Sequence, residues 1–210
     1  VISAGNDVGL FSVSSEGLIS LAYGLDYETS TTHVLTVVAT DGGTSPQLSG
    51  TATVYVQVTS VNEHDPVFDP ASPANASVDE NAPVGTTVAT VSATDDDAGA
   101  DGELTYTITD TNPASFAGNF AIDSSSGVIK MASPMDFDTM GSDKVVTLTV
   151  QAVDGASGAD QRTANTTVNV IVNDVNDNRP TCVEGLVSVV MDEDATNGTV
   201  VASMNCSDVD

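Results

Sequence analysis

Apolar and polar residues alternate with period two along much of this chain. Leu35, Val37 and Ala39 share one face of a run, and Val54, Val56 and Val58 do the same in the next. Farther on, Leu148, Val150 and Ala152 repeat the first case, and Val168, Val170 and Val172 the second. The intervening Thr, Gln, Tyr and Asn positions then face water, as expected of half-buried strands. Turn-forming residues separate the runs, as in Asp41-Gly-Gly-Thr-Ser-Pro46 and Asp154-Gly-Ala-Ser-Gly158. No long amphipathic helical pattern interrupts them.

The pattern also recurs at longer range. Gly85-Thr-Thr-Val-Ala-Thr-Val-Ser-Ala-Thr-Asp-Asp-Asp97 returns as Gly198-Thr-Val-Val-Ala-Ser-Met-Asn-Cys-Ser-Asp-Val-Asp210, offset by 113 residues. Val78-Asp-Glu-Asn81 returns as Met191-Asp-Glu-Asp194, and Ala39-Thr-Asp-Gly42 as Ala152-Val-Asp-Gly155. Such self-similarity marks a tandem array. The spacing predicts strands near 75–79, 86–93, 103–109, 119–123, 127–132, 145–153 and 164–173. Seven short antiparallel strands in about 110 residues give an all-β fold class, tandem seven-stranded Greek-key β-sandwiches of immunoglobulin-like architecture. Residues 1–62 are then the C-terminal part of one repeat, 63–178 a complete repeat and 179–210 the N-terminal part of a third. The two partial repeats are expected to have unstable cores on their own.

Composition changes this picture through charge. Among 210 residues there are 30 Asp and Glu against Lys130, Lys144, Arg162 and Arg179, a net charge of -26. That balance argues against nucleic acid and anionic membrane surfaces as partners, since both require basic patches. A β-branched, 40% hydrophobic composition supplies a core, but no run reaches the ~20 apolar residues of a membrane-spanning helix. The start carries no signal-peptide pattern, so the chain reads as an interior piece or a cytosolic protein. Four Asn-X-Ser/Thr triplets, at Asn75, Asn165, Asn197 and Asn205, support a secreted context weakly. Cys182 and Cys206 fall at the start of a first strand and the end of a second. Antiparallel pairing would set them opposite each other, which favours a disulfide over two free thiols.

Carboxylates cluster at fixed points of the repeat: Asp26-Tyr-Glu28 and Asp136-Phe-Asp138, Glu80 and Glu193, Asp95/Asp97 and Asp208/Asp210, Asp41 and Asp154, and the run Asp174-Val-Asn-Asp-Asn178. A single Asp or Asn of this kind is an ordinary turn residue. The repeating set is different, because loops of a sandwich gather at its ends and bring these oxygens to the junctions between repeats. Hard cations such as calcium take 6–8 oxygen ligands from carboxylates, amides and carbonyls. Without a cation, two carboxylates ~4 Å apart repel by about 1–4 kcal/mol.

On these residues the chain resembles the cadherin family over essentially its whole length. Asp174-Val-Asn-Asp-Asn178-Arg-Pro180 reproduces the family's linker motif, Leu25-Asp-Tyr-Glu28 is similar to its Leu-Asp-Arg-Glu element, and Asp95-Asp-Asp97 through Gly102 to its Asp-X-Asp loop. The resemblance implies calcium ions at each junction. At the second junction Glu80, Asp136, Asp138 and Asp177 would hold the first ion. Glu80, Asp138, Asp174, Asp210 and the Val175 carbonyl would hold the middle one, and Asn176, Asp208, Asp210 and the Asn178 carbonyl the third. The first junction departs from the motif and reads Ser60-Val61-Asn62-Glu63-His64-Asp-Pro66. Asn62, Asp95, Asp97, Asp154 and the carbonyls of His64 and Asp101 keep a third site there. The middle site, with Glu28 and Asp97, loses a charged ligand where Ser60 stands for aspartate, and Glu63 replaces another aspartate with a longer side chain. Asp26 is the counterpart of Asp136, and the Val61 carbonyl that of Val175. Weaker calcium binding and more bending are expected at this junction.

The function implied is calcium-dependent cell adhesion by internal extracellular repeats. The parent would be a single-pass protein, anchored outside this stretch, on the extracellular side of the plasma membrane. Its partner would be another cadherin on the same or an apposed cell. An alternative is a cadherin-like array in a microbial surface adhesin or a matrix protein. A salt-adapted carbohydrate-active protein is more distant, because 4% aromatic residues and no Trp offer no binding platform. Catalysis is not expected: a carboxylate pair for glycoside cleavage occurs once, in a cleft, whereas these recur at every junction. His33 reads as an exposed strand residue, and His64 as a backbone contributor.

Overall fold

The computed structural model describes residues 1–70, 74–141, 144–183 and 188–210. Nearly all regular structure is strand. In chain order these are β1 Ile2–Ala4, β2 Phe11–Val13, β3 Ile19–Leu21, β4 Thr32–Thr40, β5 Ser49–Gln57, β6 Val67–Phe68, β7 Asn75–Asp79 and β8 Thr87–Thr90. They continue as β9 Ala93–Thr94, β10 Thr105–Asn112, β11 Phe120–Ile122, β12 Val128–Met131, β13 Val145–Val153, β14 Thr163–Asn173, β15 Thr181–Cys182 and β16 Cys206–Ser207. Three single 3-10 turns, at Gly99–Gly102, Ala114–Phe116 and Gly158–Asp160, are the only helical segments among the described residues.

Two compact units result. The first contains Val1–Val67, Ala93–Thr105 and Val153–Ala164; the second contains Phe68–Ser92, Tyr106–Ala152 and Asn165–Asp210. The middle sequence repeat therefore contributes to both, since β10, β13 and β14 run from one into the other.

In the second unit a four-stranded sheet, β10-β13-β14-β7, and a three-stranded sheet, β11-β12-β8, form the sandwich. Its core is Val146, Leu148, Val150 and Ala152 from β13 with Val168, Val170 and Val172 from β14, all at most 2% exposed, closed by Ile129 and Met131 of β12. The alternation in the sequence thus selects the buried face, and each such Val or Leu contributes about 1.5–3 kcal/mol of transfer free energy. One expectation needs correcting: β7 joins β14 in parallel, in register from Asn169↔Asn75 to Asn173↔Asp79. A first and last strand lying side by side in the same direction bring the chain in at one end of a sandwich and out at the other. Such a pair cannot be joined by a hairpin, so local turn signals carry no trace of it.

The first unit holds the sheet β1-β4-β5 and the hairpin β2-β3, the counterparts of β10-β13-β14 and β11-β12. Leu35 and Phe11 are buried in it, whereas Val34, Tyr55, Leu18 and Leu21 are exposed. The segment after Pro180 pairs only β15 with β16 among its described residues, and Cys182 and Cys206 form a disulfide across that pair. Val190 is 95% exposed and Val200 82%, consistent with too few strands to close a sandwich.

Candidate functional site

Within the first unit, the linker after β5 meets the Asp95–Gly102 loop and the turn that begins at Asp154. Asp154 is 2% exposed and Asp97 7%, so both carboxylates need partners. Asp97 accepts the backbone N–H of Glu63 at 3.3 Å and of His64 at 3.0 Å, which ties the linker to the loop. Asp154 Oδ2 accepts the backbone N–H of Arg162 at 2.9 Å and the Asn62 side-chain amide at 2.7 Å. The same Asn62 nitrogen donates to the Asp160 carbonyl. Close approach here depends on glycine: a Cβ on Gly102 would lie 2.0 Å from the Asp97 carbonyl oxygen, and one on Gly155 2.2 Å from that of Ala100.

These bonds leave specific oxygens open. Asn62 Oδ1 and Asp95 Oδ2 are buried with no hydrogen-bond partner, and so is Ser60 Oγ. Asp95 Oδ1 accepts only the Asp97 N–H. Burial pushes the Asp95 carboxyl above its ordinary value, with Asp97 and Asp154 adding repulsion against the bond from the Asp97 amide. Val61, Asn62 and Asp101 line a cleft with Ser60 and Asp160. Asp26 is drawn aside: Thr29 donates to it from both its N–H and its hydroxyl, which holds the Asp26 carboxyl below the usual range. Glu28 and Glu63 meet the His64 ring, their donor atoms all within 4.8 Å. The histidine therefore brings its imidazole as well as its backbone.

The second unit has a denser arrangement. Glu80, only 2% exposed, accepts the backbone N–H of Val175 at 2.9 Å and that of Phe137. One buried carboxylate so joins the end of β7, the Asp136 loop and the linker after β14. Donor atoms of Glu80, Asp136 and Asp138 lie within 4.8 Å of one another, as do those of Asp138, Asp174 and Asp210. The Asn178 side-chain amide stands among acids, donating to Asp138, to Asp177 at 3.1 Å and to Asp210 at 2.9 Å. Burial raises the carboxyls of Asp138 and Asp177, and the surrounding carboxylates of Glu80, Asp136, Asp174 and Asp210 raise them further. Asn176 is exposed. Asp208 bonds locally, to the N–H groups of Val209 and Asp210.

Two basic residues were not foreseen. Arg162 donates from Nε to the Asn62 carbonyl at 3.3 Å and from Nη1 to Asp65 at 2.6 Å, raising its own pKa. Lys144 sits 3.7 Å from the Phe137 ring centroid and donates to the carbonyls of Phe137 and Met140, bracing the loop that meets Glu80. Their rarity in an acidic chain was the available signal; their placement was not.

The described donors suit calcium: carboxylates and an amide oxygen, some of them buried and unsatisfied, which hard cations prefer. A family model described as "Cadherin domain" matches residues 1–59 and 74–173. Protocadherin-like wing polarity protein stan of Drosophila melanogaster is 40% identical over 214 residues, covering all of this chain and 6% of that protein. Human Protocadherin Fat 1 is 40% identical over 210 residues, covering all of this chain and 4% of that protein. Among solved structures, mouse Protocadherin-24 EC1-3 superposes with a TM-score of 0.82 at 28% identity, over 99% of this chain and 65% of that one. Mouse Cadherin-23 EC22-24 does so at 0.77 and 30% identity, over 96% of this chain and 62% of that one. None of these names describes an enzyme.

Proposed function

The chain belongs to the cadherin family, and from that premise we propose that it is a run of internal extracellular repeats whose junctions are stiffened by calcium for cell adhesion. The observation that carries this reading is the set of buried oxygens left without partners, Asn62 Oδ1 and Asp95 Oδ2, beside buried Asp97 and Asp154. Leaving such atoms unpaired costs about 1–3 kcal/mol each, and a hard cation would satisfy them. In the first unit Asn62, Asp95, Asp97 and Asp154, with the carbonyls of His64 and Asp101, would hold one ion. In the second, Glu80, Asp136, Asp138, Asp174, Asp177 and Asp210, with the Val175 carbonyl, would hold two. Asn176, Asp208 and the Asn178 carbonyl would complete a third.

Bound calcium supplies positive charge that converts mutual repulsion into attraction. The protein's own part is to hold the oxygens in place, through the amides that fix Asp97, Asp154 and Glu80. Extracellular sites of this type bind at ~0.1–1 mM, about 4–5.5 kcal/mol per ion. Millimolar external calcium fills them and cytosolic calcium does not. The domain division at residues 62 and 178, the placement of the parent at the cell surface and a cadherin partner on the same or an apposed cell belong to the same proposal. Animal relatives at 40% identity support it over a microbial adhesin.

The test is thermal unfolding of the chain across a calcium titration, with magnesium as control. A melting temperature that rises near ~0.1–1 mM calcium and responds little to magnesium is expected, because a ligand bound only by the native state stabilises it. A flat response to calcium would reduce these carboxylates to a charged surface.

A further inference from the structure

We propose that Glu28, Glu63 and His64, two of them at positions where the family motif implies calcium ligands, form a site for a divalent transition ion of the zinc class in place of calcium there. The three side chains bring two carboxylates and one imidazole to within 4.8 Å. Imidazole nitrogen is a poor ligand for calcium, which takes oxygen, and a good one for zinc, which accepts nitrogen and carboxylate together. Zinc–ligand distances are about 2.0–2.2 Å. Donor atoms this close together need only small rotations to surround an ion, and the two glutamates are exposed and free to make them.

The surroundings favour this use. Backbone N–H groups of Glu63 and His64 are both fixed on Asp97, which anchors the main chain and leaves both side chains to turn toward Glu28. Thr29 occupies Asp26 through two hydrogen bonds, so that carboxylate does not compete. Ser60, where the family motif has an acid, removes an oxygen ligand from the same linker.

The experiment is a zinc titration of the whole chain in calcium-saturated buffer, read by calorimetry and by the ring resonances of the chain's 2 histidines. His64 is expected to shift at equimolar zinc while His33 stays in place. His64→Asn restores the family's linker residue and keeps the backbone N–H that bonds Asp97; it is expected to weaken zinc binding about tenfold or more. Unmoved His64 resonances, or equal zinc affinity in His64→Asn, would overturn the site. The inference deepens the reading of the first junction, and the two fail separately. A calcium response without a zinc response removes only this site, and a zinc response without a calcium response removes only the calcium clamp.

Discussion

The junction in the second unit concentrates Glu80, Asp136, Asp138, Asp174, Asp177 and Asp210, with a neutral amide, Asn178, as the hydrogen-bond donor in their midst. The junction in the first unit has fewer charges. It holds Asn62, Asp95, Asp97 and Asp154, and it carries its own cation in Arg162, which binds the linker at Asn62 and Asp65. A serine, a glutamate and a histidine stand where the second linker has aspartate, aspartate and asparagine. On the calcium reading proposed above, one scaffold neutralises its junction charge from outside in one place and partly from within in the other. Calcium dependence should therefore be uneven along the chain.

The sharpest break comes at Glu80. Glu80→Ala removes the acceptor of two backbone N–H groups as well as a candidate ligand, and a loss of about 2–4 kcal/mol is expected even with chelator present. Glu80→Gln keeps an acceptor and is expected to lose mainly the calcium-dependent part. Chemical denaturation with and without calcium separates the two; equal losses in both variants would mean that the carboxylate serves packing alone. In the opposite direction, Ser60→Asp with Glu63→Asp gives the first linker the acids of the second. Its calcium affinity is expected to rise about tenfold, roughly 1.4 kcal/mol, measured by calorimetry. No gain would show that the linker side chains are not ligands.

Arg162→Ala tests the internal cation. The Arg162 and Asp65 side chains are 37% and 68% exposed, so the loss without calcium is expected to be small. Its diagnostic effect is a steeper dependence of melting temperature on calcium. An unchanged calcium dependence would mean that Arg162 does not share the ion's task.

The smallest effects are in pH. The carboxyls of Asp138 and Asp177 are raised in the folded state, so without calcium their contribution is fully present below the ordinary carboxylate value of about 3.9. It is lost as pH rises through the folded value. With calcium the slope should reverse, since protons compete with the ion. Asp123 supplies the opposite sign within the same unit. It accepts bonds from the N–H and hydroxyl groups of Ser125 and Ser126, which hold its carboxyl far below the usual range. Its contribution is present above the ordinary value and lost as pH falls through the folded one. Asp123→Asn should flatten that acid limb in a melting series. The first repeat has Ser14 at this turn, accepting from Glu16 and Leu18, and offers no matching pH effect.

Much of this was legible in the sequence. Expected strands at 127–132 and 145–153 were found at Val128–Met131 and Val145–Val153, because period-two burial is written into neighbouring residues. The facing cysteines followed from the same register. Grouping of Glu80 with Asp136 and Asp138 followed from repeat position, since loops of a sandwich collect at its ends. The fate of Asp26 did not, because its capture by Thr29 depends on a local turn that the ligand motif does not specify.

By itself the sequence determined the repeat, the strand faces and the kinds of oxygen at each junction, because self-similarity, period-two alternation and residue type are written along the chain whatever it packs against. Tertiary structure alone decided the parallel β7–β14 pair and which oxygens are paired and which left open. Asn62 meets Asp154 across 92 residues and Arg162 meets Asp65 across 97. Contacts that far apart are fixed only when the sheets close and loops from distant parts of the chain are forced into one place, where each buried carboxylate must find an amide, a cation or a metal ion.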